Sequence, residues 1–135
     1  MKLVIDDKIP FIRETISEIT DDVVYLKGSE ISSADVKDAD ALIVRTRTIC
    51  NESLLAGSKV SFIATATIGF DHIDTAYMQK AGISWMNCPG CNSSSVAQYL
   101  RSSLILLCRK YSIEPKKTII GIVGYGHVGK KVAAE

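Results

Sequence analysis

No stretch of this sequence approaches the roughly 20 apolar residues that a membrane-crossing helix needs, which sets that class aside. No signal peptide is expected: Met1-Lys2-Leu3-Val4-Ile5-Asp6-Asp7 turns acidic where a leader would stay apolar. There is no excess of one charge. Lysine and arginine number 16 against 15 aspartates and glutamates, a formal net charge of +1, and the basic residues form no stripe interleaved with aromatics. Neither nucleic acid nor a membrane surface is therefore an expected partner, and a cytoplasmic protein is the expectation. Cysteines are few, at 50, 88, 91 and 108. Cys88-Pro89-Gly90-Cys91 has the spacing of a redox pair, but the thioredoxin-like order of elements that would support it is absent. Zinc would require a second pair of ligands, which neither His72 nor His127 supplies. What remains is an ordinary globular composition, 47% hydrophobic and 23% charged over 135 residues, with length for one domain or one and part of another.

Short apolar runs alternate with amphipathic stretches. Strands are expected over residues 2–5, 22–26, 41–44, 60–64 and 83–86. Between them, Ile9, Ile12, Ile16 and Ile19 fall at helical spacing over residues 10–19. Ser33 is a candidate cap for a short turn, Asn51 caps residues 52–56 ahead of Gly57, and residues 74–80 form a helix stopped by Ala81-Gly82. Strands this short, each followed by a helix, make a parallel sheet covered on both faces. The expected class is α/β, a flavodoxin-like doubly wound parallel sheet over residues 1–91. Ligands of such sheets sit beyond the carboxyl ends of the strands, so residues 6–7, 45–47 and 65–69 are where a site is expected.

The pattern then changes. Asn92 or Ser93 caps a long helix whose apolar face carries Val96, Leu100, Leu104 and Leu107, and residues 111–117, with Pro115, read as a linker. Residues 118–123 read as a buried strand running into Gly124-Tyr125-Gly126-His127-Val128-Gly129 and a helix start. Strand, G-x-G-x-x-G and helix in succession signal dinucleotide binding. The first glycine permits the tight turn, the second lets the backbone approach a pyrophosphate, and the third lets helix and strand pack closely. Amides near His127 and Val128 would present the positive helix end to the anion. Residues 92–135 are thus expected to hold a hinge helix and the first strand and glycine turn of a Rossmann domain, truncated at residue 135, with all six motif residues as cofactor contacts. An acid that reads the ribose is expected about 20 residues further on, so NAD and NADP stay open on these residues. A triphosphatase reading fails at Lys131, where Ser or Thr must hold magnesium. A phosphoacceptor receiver fails at Arg45, a cation where the acceptor aspartate should be, which leaves Asp6 and Asp7 as caps.

Four blocks carry a family resemblance: Asp38-Ala39-Asp40-Ala41-Leu42-Ile43-Val44-Arg45-Thr46, Asn51-Glu52-Ser53-Leu54-Leu55-Ala56-Gly57, Ala64-Thr65-Ala66-Thr67-Ile68-Gly69-Phe70-Asp71-His72-Ile73-Asp74 and Pro89-Gly90-Cys91-Asn92. They resemble the substrate domain of the D-2-hydroxyacid dehydrogenases, and the resemblance covers the whole chain. Most of that family shows glycine where this chain has Thr67; the Thr65-Ala66-Thr67 form resembles a branch acting on a phosphorylated 2-hydroxy acid. The resemblance implies an NAD-dependent oxidoreductase whose substrate domain and inserted nucleotide domain are joined by two long crossing helices, the first resembling residues 93–110. It also implies that the catalytic Arg, acid and His lie beyond the glycine motif. No catalytic residue is therefore expected here, and the chain alone is expected to be inactive.

The expected substrate contacts are Arg45, whose planar donor fork suits phosphate or carboxylate, the hydroxyls of Thr46 and Thr67, and the backbone N–H groups of Thr67, Ile68 and Gly69, the glycine allowing an unusual turn. The plain alternative for Arg45 is a salt bridge to Asp71. Arg47 is expected to be solvated, and His72 to order the loop before Asp74. For the chain as a whole the alternative is a non-catalytic ligand- or partner-binding module on the same sheet. An apolar stripe on the long helix and a bare strand at 118–123 lead to the expectation of a homodimer or higher oligomer.

Overall fold

Aliphatic runs of four residues are too short to bury a surface alone, and they become strands here because helical segments cover both faces of the sheet they form. The computed structural model describes residues 1–134. In it β1 (Leu3–Asp6), β2 (Val23–Leu26), β3 (Ala41–Val44), β4 (Phe62–Thr65) and β5 (Ser84–Met86) alternate with α1 (Ile12–Ile16), α2 (Ser33–Val36), α3 (Glu52–Leu55) and α4 (Thr75–Ala81). Every pairing is parallel and the strand order is β2-β1-β3-β4-β5. This is the expected flavodoxin-like arrangement. Leu3 stands opposite both Val23 and Ala41, and Val44 stands opposite Thr65, so neighbouring strands end nearly level.

Alternation along each strand divides the core into two layers. Val4, Leu42, Val44 and Ile63 pack on one side with Val36, Leu55 and Met78 from the helices. Leu3, Ile5 and Ala41 point the other way and meet Ile16 of α1. Caps set where the helices begin. Asn51 accepts the N–H of Leu54 at 3.2 Å and Asp74 that of Tyr77 at 3.0 Å. The cap of α2 is Ser32 rather than Ser33: Ser32 N donates to Asp35 Oδ2 at 2.8 Å, a capping-box contact. The first helix is shorter than its isoleucine spacing suggests. Phe11 precedes it in the left-handed region, at φ 59°, without a side-chain cap. Ile9, Ile12 and Ile16 do reach the core, but Ile19 lies past the helix and is 59% exposed.

Residues 1–88 form one compact unit and those from Pro89 onward a second. The second contains α5 (Ser93–Tyr111), a single 3-10 turn at Pro115–Lys117, and α6 (His127–Ala134). The strand expected over residues 118–123 is not formed. Ile119 and Val123 are 97% and 104% exposed, while Ile120 and Ile122 turn toward Leu104, Cys108 and Val132 around an apolar cavity of about 640 Å³. An aliphatic run has the propensity for a strand, but a strand exists only with a ladder partner, and no strand of this unit lies alongside it among the described residues. No helix among the described residues is long and apolar enough to cross a membrane.

The layering predicts an uneven response to truncation. Ile63, fully buried in β4, should lose about 2–5 kcal/mol on replacement by alanine. Val24, 36% exposed on the outer strand β2, should lose much less. Urea unfolding of the two variants checks this, and equal losses would mean that β4 does not carry the core.

Candidate functional site

The sheet order reverses between β1 and β3. One neighbour of each strand lies on either side, so the connections leave in opposite directions and a crevice opens beyond the carboxyl ends. Arg45, the first residue after β3, is exposed there. Its Nη1 donates to the carbonyl oxygen of Lys8, just after β1, at 3.2 Å. The side chain thus reaches across the strand ends, and among the described residues it makes no ion pair with Asp71. Thr46 is exposed on the same turn. The turn closes when Thr48 N donates to Arg45 O at 3.2 Å, and the buried Thr48 hydroxyl donates to Gly28 O at 2.9 Å. Arg47 is exposed, as expected of a solvated side chain. With Ser29, Ser32, Asn51 and Ser53 it lines a polar cavity of about 340 Å³ that no carboxylate borders. The cavity is made by two loops about 20 positions apart, and no local spacing encodes their approach.

The loop after β4 is built on a buried hydroxyl. Thr65, 1% exposed, sits between His72 Nε2 at 2.8 Å and Thr67 Oγ1 at 2.7 Å. The Thr67 hydroxyl donates to Gly69 O at 3.0 Å. With that proton used, Thr65 must donate to Thr67 and His72 must donate from Nε2 to Thr65. Burial lowers the His72 pKa below its ordinary 6.5, with Asp71 opposing, so the ring is neutral near pH 7 and orders the loop, as expected of it. Further ties come from the next strand: Cys88 N donates to Thr67 O at 3.1 Å, Asn87 Nδ2 to Ile68 O at 2.7 Å, and the Phe70 ring lies 5.1 Å from Trp85. The carbonyl oxygens of Thr67, Ile68 and Gly69 are therefore all engaged, while among the described residues their N–H groups have no partner. Three successive free donors on a fixed loop suit an oxygen anion. The expectation for Gly69 needs correcting, because its φ is not in the left-handed region and an added Cβ would meet only Asp71 Oδ2, at 4.0 Å. The loop conformation comes from its hydrogen bonds and not from that glycine.

The loops after β3 and β4 are joined behind the site. Cys50 N donates to His72 O at 2.8 Å and Asp74 N to Cys50 O at 2.9 Å, a short parallel bridge between Cys50 and Ile73. Burial pushes the Cys50 thiol up to about 12, so it packs as a small apolar group and not as a nucleophile.

In the second unit, Gly124 adopts φ +95°, and a Cβ on Gly129 would stand 2.0 Å from Gly124 O. The first and third glycines of the motif are thus required by the tight turn and by the close approach of α6. A Cβ on Gly126 would meet no atom within 4 Å, leaving open space where the second glycine is meant to admit a pyrophosphate. Lys130 N donates to Gly126 O at 3.0 Å, so α6 starts at the motif, and the N–H groups of its first turn have no partner within the helix. Tyr125 is 66% exposed, Val128 is half-buried, and the His127 ring lies against Gly90, where an added Cβ would come within 2.8 Å of it. The turn fits a dinucleotide pyrophosphate through its backbone.

A family model described as D-isomer specific 2-hydroxyacid dehydrogenase, catalytic domain, matches residues 3–126. The erythronate-4-phosphate dehydrogenase of Bacteroides fragilis is 60% identical over 133 residues, covering 98% of this chain and 38% of that protein. The protein of the same name from Escherichia coli O157:H7 is 41% identical over 134 residues, covering 99% of this chain and 35% of its own length. The chain therefore spans little more than a third of these relatives. Among solved structures, the NAD+-bound 3-phosphoglycerate dehydrogenase of Entamoeba histolytica aligns with a TM-score of 0.69 at 32% identity, over 99% of this chain and 49% of that one.

The neutral His72 has a consequence for acid stability. When the chain unfolds, its imidazole takes up a proton below about 6.5, whereas in the folded loop it resists protonation to lower pH. The stability it contributes is complete above the unfolded value and is lost as pH falls through the lowered folded value. Thermal melts at pH 7.5 and 5 should show this loss, and it should be smaller in His72→Gln, which cannot titrate. The same acid sensitivity in the variant would assign the effect to another group.

Proposed function

Because the chain belongs to the D-isomer specific 2-hydroxyacid dehydrogenase family, we propose that it supplies the substrate-binding part and the pyrophosphate turn of an NAD-dependent 4-phosphoerythronate dehydrogenase. The reaction is oxidation of 4-phospho-D-erythronate to the 2-oxo acid, a step of pyridoxine biosynthesis in the cytoplasm. One observation carries the substrate reading: Arg45 and the free N–H groups of Thr67, Ile68 and Gly69 stand at the ends of adjacent strands, with every carbonyl of that loop segment turned to other partners. This is a donor-rich edge for an anionic substrate. The relatives named for a phosphorylated acid, at 60% and 41% identity, agree with it.

Such a substrate has two anionic ends, a carboxylate and a phosphate. Two donor groups are available, Arg45 with the amides of the β4 loop, and Arg47 in its polar cavity. Thr46 presents an exposed hydroxyl. The hydroxyl of Thr67 is already donated to Gly69 O, so its contribution is to shape the loop and to leave one acceptor lone pair. The amides of Gly126, His127 and Val128 would hold the cofactor pyrophosphate, with Gly124, Tyr125 and Gly129 forming the turn. A bound nicotinamide supplies the hydride acceptor.

Oxidation also requires a group that accepts the hydroxyl proton. His72 is buried and bonded to Thr65, and the His127 ring lies against Gly90, so neither is placed for that task. The 135-residue polypeptide by itself should show no turnover; measurable NAD reduction with 4-phosphoerythronate would place a proton acceptor among these residues after all.

The substrate assignment is tested in the intact protein. A charge-assisted hydrogen bond is typically worth about 1.5–3 kcal/mol, so Arg45→Ala should lower kcat/KM for 4-phosphoerythronate by roughly ten- to a hundredfold. The KM for NAD should stay near the parent value. An unchanged kcat/KM, or an equal loss in NAD affinity, would remove Arg45 from the substrate site.

A further inference from the structure

Asp6 ends β1, is only 2% exposed, and has no part in the binding scheme above. Its Oδ1 accepts the N–H of Lys8 at 2.9 Å, and Ile9 N donates to Asp6 O at 3.3 Å, which folds the chain back just beyond the strand. The carbonyl of that same Lys8 accepts Arg45 Nη1 at 3.2 Å. The peptide groups flanking Lys8 are therefore engaged in sequence, one by the buried carboxylate and one by the guanidinium.

The contacts continue round to their starting point. Arg45 O accepts Thr48 N at 3.2 Å, and the Thr48 hydroxyl donates to Gly28 O at 2.9 Å. Gly28 is buried against the carboxylate: a Cβ added there would stand 2.5 Å from Asp6 Oδ2 and 3.1 Å from its Cγ. Asp6, Lys8, Arg45, Thr48 and Gly28 thus form a closed circuit around the ends of β1, β2 and β3. An exposed arginine otherwise has rotamer freedom to lose on binding, and a fixed acceptor reduces that loss by holding the guanidinium in place beforehand.

We infer that Asp6 is a positioning residue for the substrate arginine, acting through the Lys8 carbonyl, with Gly28 conserving the space that its carboxylate occupies. This rests on the reading that Arg45 binds substrate. Asp6 touches neither substrate nor cofactor in this scheme, so its loss acts on KM for the acid and leaves kcat and the KM for NAD unchanged.

Steady-state kinetics on the intact protein test this with four variants. Asp6→Ala removes the acceptor and should raise KM for 4-phosphoerythronate about three- to tenfold, the range of one ordinary hydrogen bond. Gly28→Ala drives a methyl group into the carboxylate and should do the same. Asp6→Asn keeps an oxygen for the Lys8 N–H and should stay near the parent value. Leu55→Ala, 2% exposed in the core, destabilises the fold without touching the circuit and should leave KM unchanged. The inference is overturned if Gly28→Ala leaves KM at the parent value, if Asp6→Asn is no better than Asp6→Ala, or if Leu55→Ala raises KM as much. Should Asp6→Ala fail to fold, Gly28→Ala against Asp6→Asn decides it. A silent Arg45→Ala would bring down the underlying substrate reading; a deleterious Arg45→Ala with a silent Gly28→Ala would bring down this inference alone.

Discussion

β1 and β3 run side by side through the centre of the sheet, with Val4 opposite Leu42 and Ile5 opposite Ile43. Each of these strands has its other neighbour on the far side, so the chain must leave their carboxyl ends in opposite directions. Much of the first unit depends on that pairing. It creates the crevice that Arg45 spans to reach Lys8, and it sets Asp6 deep enough to be covered by Gly28. It also seats β4 beside β3, which brings a second loop to the same edge. The gathering of polar loops at one edge is a by-product of strand order, which is itself a consequence of burying aliphatic residues on both faces.

Rigidity at that edge comes from polar groups that are almost fully satisfied. The Thr65 hydroxyl has a donor and an acceptor at 2.8 and 2.7 Å, and the Cys50–Ile73 bridge ties the β3 and β4 loops to one another. Backbone amides at the end of such a loop are preorganised, so an anion binding to them orders little that was free before. Among the described residues, the free N–H groups of Thr67, Ile68 and Gly69 contrast with their engaged carbonyls, an asymmetry that leaves only donors available at this loop.

The second unit shows how far local chemistry goes without a sheet. Gly124 takes its left-handed turn and Gly129 admits the close approach of α6, because a turn and a helix need only neighbouring residues. The aliphatic run just before them is not a strand, and Ile119 and Val123 remain almost wholly exposed. Motif and strand obey different rules: the first is local, whereas the second depends on hydrogen bonds to a chain segment elsewhere.

Much was readable in the linear chain. Alternation of four-residue aliphatic runs with capped helices announced a parallel α/β sheet, Asn51 and Asp74 marked their helix starts, and the place of Arg45 directly after a buried strand put an exposed cation at the strand ends. These features are local or periodic, so propensity and capping chemistry determine them. The tertiary structure alone decided what those residues touch. It turned Arg45 to Lys8 rather than to Asp71, gave Arg47 a cavity, committed the Thr67 hydroxyl to its own loop, and set Gly28 against Asp6. Each of these contacts joins loops from different strands or depends on how a loop folds back on itself, and their distances follow from the packing of the whole sheet rather than from any spacing along the chain.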